Sequence, residues 1–308
     1  VRSNSKAKRH TRDEKTFDTL LGFTNALNKT ITASKTTGDL SATYKLTPDV
    51  STYARIATGF RGASFASPAA GSQLLTDAAP ETTTSYEAGV KSDLFDRRAR
   101  LSFGMFRYDI KGQQFTAVAG TSNQVALLNA KKSRGQGFEL EGEALVTEAL
   151  RLSLGVSLND TEIRDPTLRV PVCGSGRCTP LDPFIRVGNA RLASIDGNPL
   201  PQAPKWVATA TGRYGIPLAG GELYVYGDLS YRSKVNLYLY DSIEFTGKSL
   251  TEVGLKLSYN WGNGKYEAAL FCRNCSNEVV VNGAIDFNNL EGFINDPRTY
   301  GAQLRVNF

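Results

Sequence analysis

One histidine, one methionine and four cysteines in 308 residues leave little material for several kinds of chemistry. The single histidine, His10, sits in a polar, basic opening stretch, and no G-x-S-x-G elbow supplies a nucleophile for it. Phosphate-cradling glycine patterns are missing too: Gly135-Gln136-Gly137 leads into a strand-like segment and not a helix. No cofactor, no resident metal and no enzymatic activity are therefore expected. Residues 1–10 lack the apolar segment of a secretory signal. No run approaches 18 consecutive apolar residues, which excludes a transmembrane helix. It does not exclude a membrane barrel, whose strands carry apolar residues only at alternate positions. The formal charge of +6 comes from 36 basic and 30 acidic residues spread along the chain, with no basic block, so nucleic acid is not an expected partner.

What is abundant is glycine (29), phenylalanine (15) and tyrosine (13), with prolines placed mostly between periodic segments. That composition favours a β-rich chain with many turns. The governing signal is strict alternation. Leu150, Leu152, Leu154, Val156 and Leu158 alternate with Arg151, Ser153, Gly155, Ser157 and Asn159. Val253, Leu255, Leu257, Tyr259 and Trp261 alternate with Gly254, Lys256, Ser258 and Asn260. Phe138, Leu140, Gly142 and Ala144 alternate with Glu139, Glu141 and Glu143. A period of two with one apolar row describes a strand with one greasy side.

Such segments run roughly 10 to 18 residues. Strands of soluble sheets average about 5–6 residues, whereas a tilted membrane-spanning strand needs about 9–11. Length thus favours the membrane. Aromatic residues near the ends of the apolar rows, among them Phe60, Tyr86, Trp206, Tyr214, Tyr259, Trp261 and Tyr300, suit interfacial girdles. Short connections at Thr47-Pro48-Asp49, Asp96-Arg97, Thr147-Glu148, Leu218-Ala219-Gly220-Gly221 and Asn263-Gly264 alternate with long ones near 61–80, 115–128, 161–200, 235–249 and 283–297.

The expected fold is all-β: an antiparallel transmembrane β-barrel segment of about twelve strands with short periplasmic turns and long extracellular loops. The strands are placed at 1–16, 31–46, 50–61, 81–94, 97–114, 127–146, 149–163, 202–217, 221–236, 249–262, 265–282 and 297–308. A change of apolar phase between Met105 and Phe106 suggests a bulge. Glu139, Glu141 and Glu143 are expected to face the lumen, because acids on the lipid face are costly.

Several stretches resemble the barrels of TonB-dependent receptors. Thr52-Tyr53-Ala54-Arg55-Ile56-Ala57-Thr58-Gly59-Phe60-Arg61 is similar to the family's strand ending in Gly-Phe-Arg. Pro80-Glu81 through Ser85-Tyr86-Glu87-Ala88-Gly89-Val90-Lys91 resembles the following strand. Phe106-Arg107-Tyr108-Asp109-Ile110-Lys111, Gly137-Phe138-Glu139-Leu140-Glu141, Leu200-Pro201-Gln202-Ala203-Pro204-Lys205-Trp206 and Arg273-Asn274 come next, in the family's order. Pro297 to Phe308 resembles the closing strand; Cys275 departs from the family, where an apolar residue is usual.

The resemblance covers nearly the whole chain. It implies the C-terminal part, over residues 1–308, of an outer-membrane barrel of about twenty-two strands closed by a plug; the plug and the TonB box have no counterpart in this chain. It implies import of a scarce extracellular small ligand, an iron–siderophore type complex foremost, energised through TonB, ExbB and ExbD. It also implies outer-membrane lipid around the barrel and assembly machinery that reads the terminal Phe308. Ligand contacts in such receptors come from external loops and the inner wall, which by position gives Arg61, Gln114, Arg186, Arg191, Tyr238, Tyr240 and Arg298. Their basic and aromatic groups suit an anionic chelate, although each also reads as an ordinary solvated loop residue.

Cys173 and Cys178 lie in a Gly-rich loop flanked by prolines, and external loops face an oxidising space, so a disulfide is expected there. A metal pair is the alternative, with no histidine nearby to assist it. Cys272 and Cys275 fall within an expected strand, where positions i and i+3 point to opposite faces about 10 Å apart. Since a disulfide needs about 4.4–6.8 Å between Cα atoms, free thiols are expected unless a bulge intervenes. Two further architectures remain: twelve strands closed on themselves as a channel or outer-membrane lipase, and a soluble adhesive β-sandwich.

Overall fold

The computed structural model describes residues 2–17, 27–66, 76–119, 124–286 and 289–307. Twelve strands form one antiparallel sheet: β1 (Arg2–Phe17), β2 (Leu27–Lys45), β3 (Val50–Arg61), β4 (Glu81–Leu94), β5 (Ala99–Ala119), β6 (Gln124–Leu145), β7 (Leu150–Arg164), β8 (Trp206–Leu218), β9 (Gly221–Arg232), β10 (Leu250–Trp261), β11 (Tyr266–Arg273) and β12 (Thr299–Val306). Each strand bonds to its neighbours in sequence, so the sheet is a meander with β1 and β12 at its two edges. Among the described residues nothing pairs β1 with β12, so the alternative of twelve self-closed strands is not the arrangement found. The described residues contain no helix.

Opposed residues in antiparallel strands share a face, so the register shows which side chains meet. One row runs Ala88, Met105, Phe138, Leu158, Trp206 across β4 to β8. The next row towards the short turns runs Val90, Phe103, Leu140, Val156, Ala208. Glu139 instead opposes Gly104 and Ser157, and Leu154 opposes Gly142. Leu154 and Glu139 thus lie on opposite surfaces, as the alternation requires. The outward rows leave Leu154 49%, Leu257 46% and Leu304 71% exposed. In water that area would be a liability; hydrocarbon removes it from water at about 25 cal/mol per Å².

Glycine serves the inner face. Tyr53 lies over Gly89, where an added Cβ would come 2.6 Å from its ring, and Phe106 and Tyr108 cover Gly137 and Gly135. Bare backbone across the ladder gives these rings a seat.

Three local expectations change. The register runs without interruption through Met105 and Phe106, so there is no bulge there. Phe106 and Tyr108 simply point inwards, while the outward row turns polar at Arg107. The irregularity comes later, at Gly112, whose φ of +66° is easy only for glycine. The β5–β6 ribbon also outruns the expected strand ends, reaching Ala119 and starting at Gln124. Finally, the eleventh strand stops at Arg273 and not at 282, and Cys272 and Cys275 are bridged, with Cα atoms 5.7 Å apart. Asn274 takes a φ of +44°, which ends the extended geometry and folds Cys275 back. The expectation of free thiols assumed a regular strand through both positions.

Candidate functional site

Most of the buried apolar residues gather at the long-connection end, in the loops and the strand ends beneath them. Beyond Gly112, Phe115 and Ala117 join Ala130, Ile163, Val170, Val172, Ala193, Ile195, Val235, Leu237, Leu239, Tyr240 and Phe245 in one cluster. The loop from β7 to β8 contributes a small sheet of Arg169–Pro171, Ala190–Ser194 and Phe184–Val187, with Ala190–Ser194 central. The β9–β10 loop pairs Val235–Asn236 with Thr246–Gly247, and the β11–β12 loop forms the hairpin Val281–Asp286 and Leu290–Ile294. An apolar cluster drawn from separate loops gives them a common core, so they form a cap and do not act as independent tethers.

Polar groups pin this cap. Asp286, 1% exposed, accepts from the N–H groups of Gly174 (2.8 Å) and Ser175 (3.1 Å) and from the Tyr240 hydroxyl (3.3 Å). It thereby ties the last loop to the turn in which Cys173 and Cys178 are bridged, with Cα atoms 5.4 Å apart. Asp286 and the two sulfurs lie together, but the bridge removes both thiolates as metal ligands. The Tyr240 hydroxyl also accepts from the Cys173 N–H (3.2 Å), and the Tyr238 hydroxyl donates to the Ala284 carbonyl (3.1 Å) and accepts from the Asp286 N–H (2.9 Å). Burial pushes both phenols above the ordinary tyrosine range, so they stay neutral donors. Glu244 accepts from the Thr179 N–H and hydroxyl, which more than offset its burial and hold its pKa low.

Between β5 and the cap lies a cavity of about 420 Å³ whose lining includes Gln114, Phe115, Gln202, Leu237, Tyr238 and Tyr240. A largely apolar hollow with a few convergent polar groups is the ordinary form of a small-molecule site. Three of the residues expected from sequence, Gln114, Tyr238 and Tyr240, converge here. Gln114 is already committed: its amide donates to the Gly62 (2.7 Å) and Ala79 (2.9 Å) carbonyls and accepts from Ser64.

The others lie elsewhere. Arg61 is exposed at the end of β3. Arg186 and Arg191 oppose one another in the small loop sheet, with Arg191 over the Phe184 ring. Arg298 stands over Tyr300 on the outward side and donates to the Cys275 carbonyl. Phe308 lies outside the described residues. Sequence reasoning missed Asp286, Gln202 and Phe245; the partners that give Asp286 its role lie 46 to 112 residues away in the chain, and no local pattern marks it.

The inner wall below carries Glu139, Glu141 and Glu143, exposed on the surface opposite the lipid-facing rows. Near the short turns Glu267 accepts from Tyr224 (3.0 Å), Ser258 (2.9 Å) and Lys256, with Arg305 at 3.7 Å. Charged groups at such density make sense only against water or another polar surface.

The sequence profile described as TonB dependent receptor-like, beta-barrel matches residues 7–275. A probable TonB-dependent siderophore receptor, PiuA of Acinetobacter baumannii, is 28% identical over 172 residues, which is 53% of this chain and 21% of that protein. The metal-pseudopaline receptor CntO of Pseudomonas aeruginosa is 32% identical over 121 residues, 39% of this chain and 16% of that protein. This chain therefore spans only a small part of the relatives it matches. Among solved structures, the ferric yersiniabactin uptake receptor FyuA of Yersinia pestis superimposes with a TM-score of 0.74 at 16% identity, over 100% of this chain and 43% of that one. The siderophore receptor PiuA of A. baumannii gives 0.68 at 19%, over 98% and 39%. The matching profile, the meander of long strands and the lipid-facing rows agree: this chain belongs to the TonB-dependent receptor β-barrel family of the outer membrane.

Proposed function

We propose that this chain is the C-terminal part of a receptor barrel that binds a scarce extracellular ligand, an iron–siderophore type complex, and imports it with energy coupled through TonB, ExbB and ExbD. The open edges at β1 and β12 leave backbone groups that a longer barrel would pair. On this reading the protein is a transporter and not an enzyme, it sits in outer-membrane lipid, and barrel-assembly machinery inserts it. The observation that carries the reading is the packed loop cap with its cavity at Tyr238 and Gln202, set above a polar inner wall, in a chain whose relatives are named as siderophore and metal-chelate receptors.

The test is uptake of radiolabelled iron by cells that rely on the full-length receptor, supplied with a panel of catecholate, hydroxamate and carboxylate chelates. At least one chelate should be imported, and collapse of the proton gradient should stop it. The change Gln202→Ala should weaken that chelate's binding by roughly fivefold, the loss of one hydrogen-bonding group worth about 1 kcal/mol. Uptake of every chelate at the rate of receptor-free cells would refute the proposal.

A further inference from the structure

Three long loops bring buried polar side chains to one point. The β7–β8 loop supplies Cys173 and Cys178, the β9–β10 loop Tyr240, and the β11–β12 loop Asp286. These residues are 5%, 6%, 2% and 1% exposed. The two sulfurs and an oxygen of Asp286 lie within 4.8 Å of one another. The Tyr240 hydroxyl stands 3.3 Å from the Asp286 carboxylate and 3.9 Å from Cys178 Sγ. The Cys178 N–H donates to Cys173 Sγ (2.7 Å), the kind of contact that favours a thiolate there.

The charge of Asp286 is a second, independent observation. Its partners are two backbone N–H groups and a phenol, all neutral, and among the described residues no lysine or arginine forms an ion pair with it. Buried charges are ordinarily paired with an opposite charge or coordinate a metal. With the bridge closed, hydrogen bonds alone carry this carboxylate. With the bridge open, two thiolates would join it, and three anions in one dry pocket call for a cation.

We infer that Cys173, Cys178 and Asp286 form a redox-gated site for a divalent cation of the zinc type, which takes over the clasp between the loops when the bridge is reduced. A low-molecular-weight thiol opens the bridge: the S–S bond breaks, each sulfur takes up a proton, and two thiol molecules leave as their own disulfide. The cation then displaces those two protons and bonds to both sulfurs and one carboxylate oxygen. Two thiolates and a carboxylate suit zinc, which binds sulfur, nitrogen and oxygen in a tetrahedral set. Donor atoms in such a set lie about 3.4–3.8 Å apart, so the sulfurs turn apart while the carboxylate closes in slightly. The Tyr240 hydroxyl stands beside the fourth position. The site lies directly behind the cavity, because Tyr240 lines it and Tyr238, which also lines it, accepts from the Asp286 N–H (2.9 Å). A metal here would keep the cap closed in reducing surroundings, where the covalent clasp is lost.

The experiment uses the full-length receptor in detergent, in a Cys272→Ser/Cys275→Ser background that removes the other bridge. A water-soluble phosphine reduces it, taking up the oxygen of one water and leaving two thiols without competing for metal. Co²⁺ alone is the first probe and Zn²⁺ alone the second. Thiolate-to-cobalt absorption should appear after reduction, be missing before it, and vanish when Zn²⁺ is added. Cys173→Ser/Cys178→Ser should abolish it, and Asp286→Asn should weaken Zn²⁺ binding at least about tenfold. Heat-modifiable electrophoretic mobility checks that each variant is folded. Should Asp286→Asn fail to fold, hydrogen exchange of the reduced receptor replaces it: Zn²⁺ should raise protection together in residues 173–178 and 281–286. No thiolate absorption after reduction overturns the inference, as does an Asp286→Asn variant that binds as tightly. Protection rising at 173–178 alone also overturns it, since the metal would then sit on the cysteine pair without the carboxylate. Chelate uptake is a separate readout, so the metal site and the import reading can fail independently.

Discussion

Asp165, 3% exposed, opens the longest loop just past the end of β7. Burial alone would push its pKa up. The Lys131 N–H (2.9 Å), the Thr167 hydroxyl (2.8 Å) and the Thr167 N–H (3.1 Å) outweigh that and hold it below the ordinary 3.8. A carboxylate with a depressed folded-state pKa contributes stability that is complete above the unfolded value and is lost as pH falls through the folded one. The loop should therefore stay protected at pH 5 and above, and loosen progressively below about pH 3.8. Hydrogen exchange of residues 165–205 in the detergent-solubilised receptor reads this directly. Asp165→Asn should raise exchange there at pH 7 and flatten its acid dependence; a variant with the wild-type pH profile would remove Asp165 from the account. Two of these contacts come from Thr167, two residues on, but the third, from Lys131, lies 34 residues away, and no motif in the sequence connects it to Asp165.

A strand exposes its facing in a way that a loop carboxylate does not expose its partners. Strict alternation in β7 and β10 gave side, length and neighbour at once, because the side-chain period of a strand is fixed by its backbone. Alternation could not show where an outward row leaves hydrocarbon. Arg107 and Phe106 therefore read as a change of phase, when the register runs on and the outward row has only turned polar at Arg107. It was equally silent at Cys272 and Cys275, where Asn274 departs from extended geometry. Facing has a direct consequence. Leu154→Arg puts a cation on the lipid side and should cost about 2–4 kcal/mol if it lies near midplane. Glu141→Leu, on the opposite surface, should change stability by only about 0.5 kcal/mol, as an exposed polar site does. Urea unfolding in lipid vesicles compares the two, and equal losses would contradict the assigned faces.

At the scale of the whole molecule, wall and cap are held by different forces. The wall depends on its hydrogen-bonded ladder and on hydrocarbon outside. The cap depends on an apolar core of its own, with Phe245 2% exposed and its ring centroid 4.4 Å from Tyr238 and 6.0 Å from Tyr240. That core was the least legible part of the sequence, because each loop contributes a few apolar residues without a period, and they become a cluster only when three loops meet. If the cap is one cooperative unit, damage at its centre should be felt in all its loops and not in the wall. Phe245→Ala, a deletion of the kind that costs about 3–5 kcal/mol in a packed core, should raise hydrogen exchange together in residues 169–195, 235–247 and 281–294. Amides of β7 to β10 should keep their protection, and chelate binding should fall because Tyr238 loses the ring that holds it at the cavity. Exchange rising only around residue 245 would mean that the loops open separately. Loss of protection throughout the strands would mean that cap and wall fold as one.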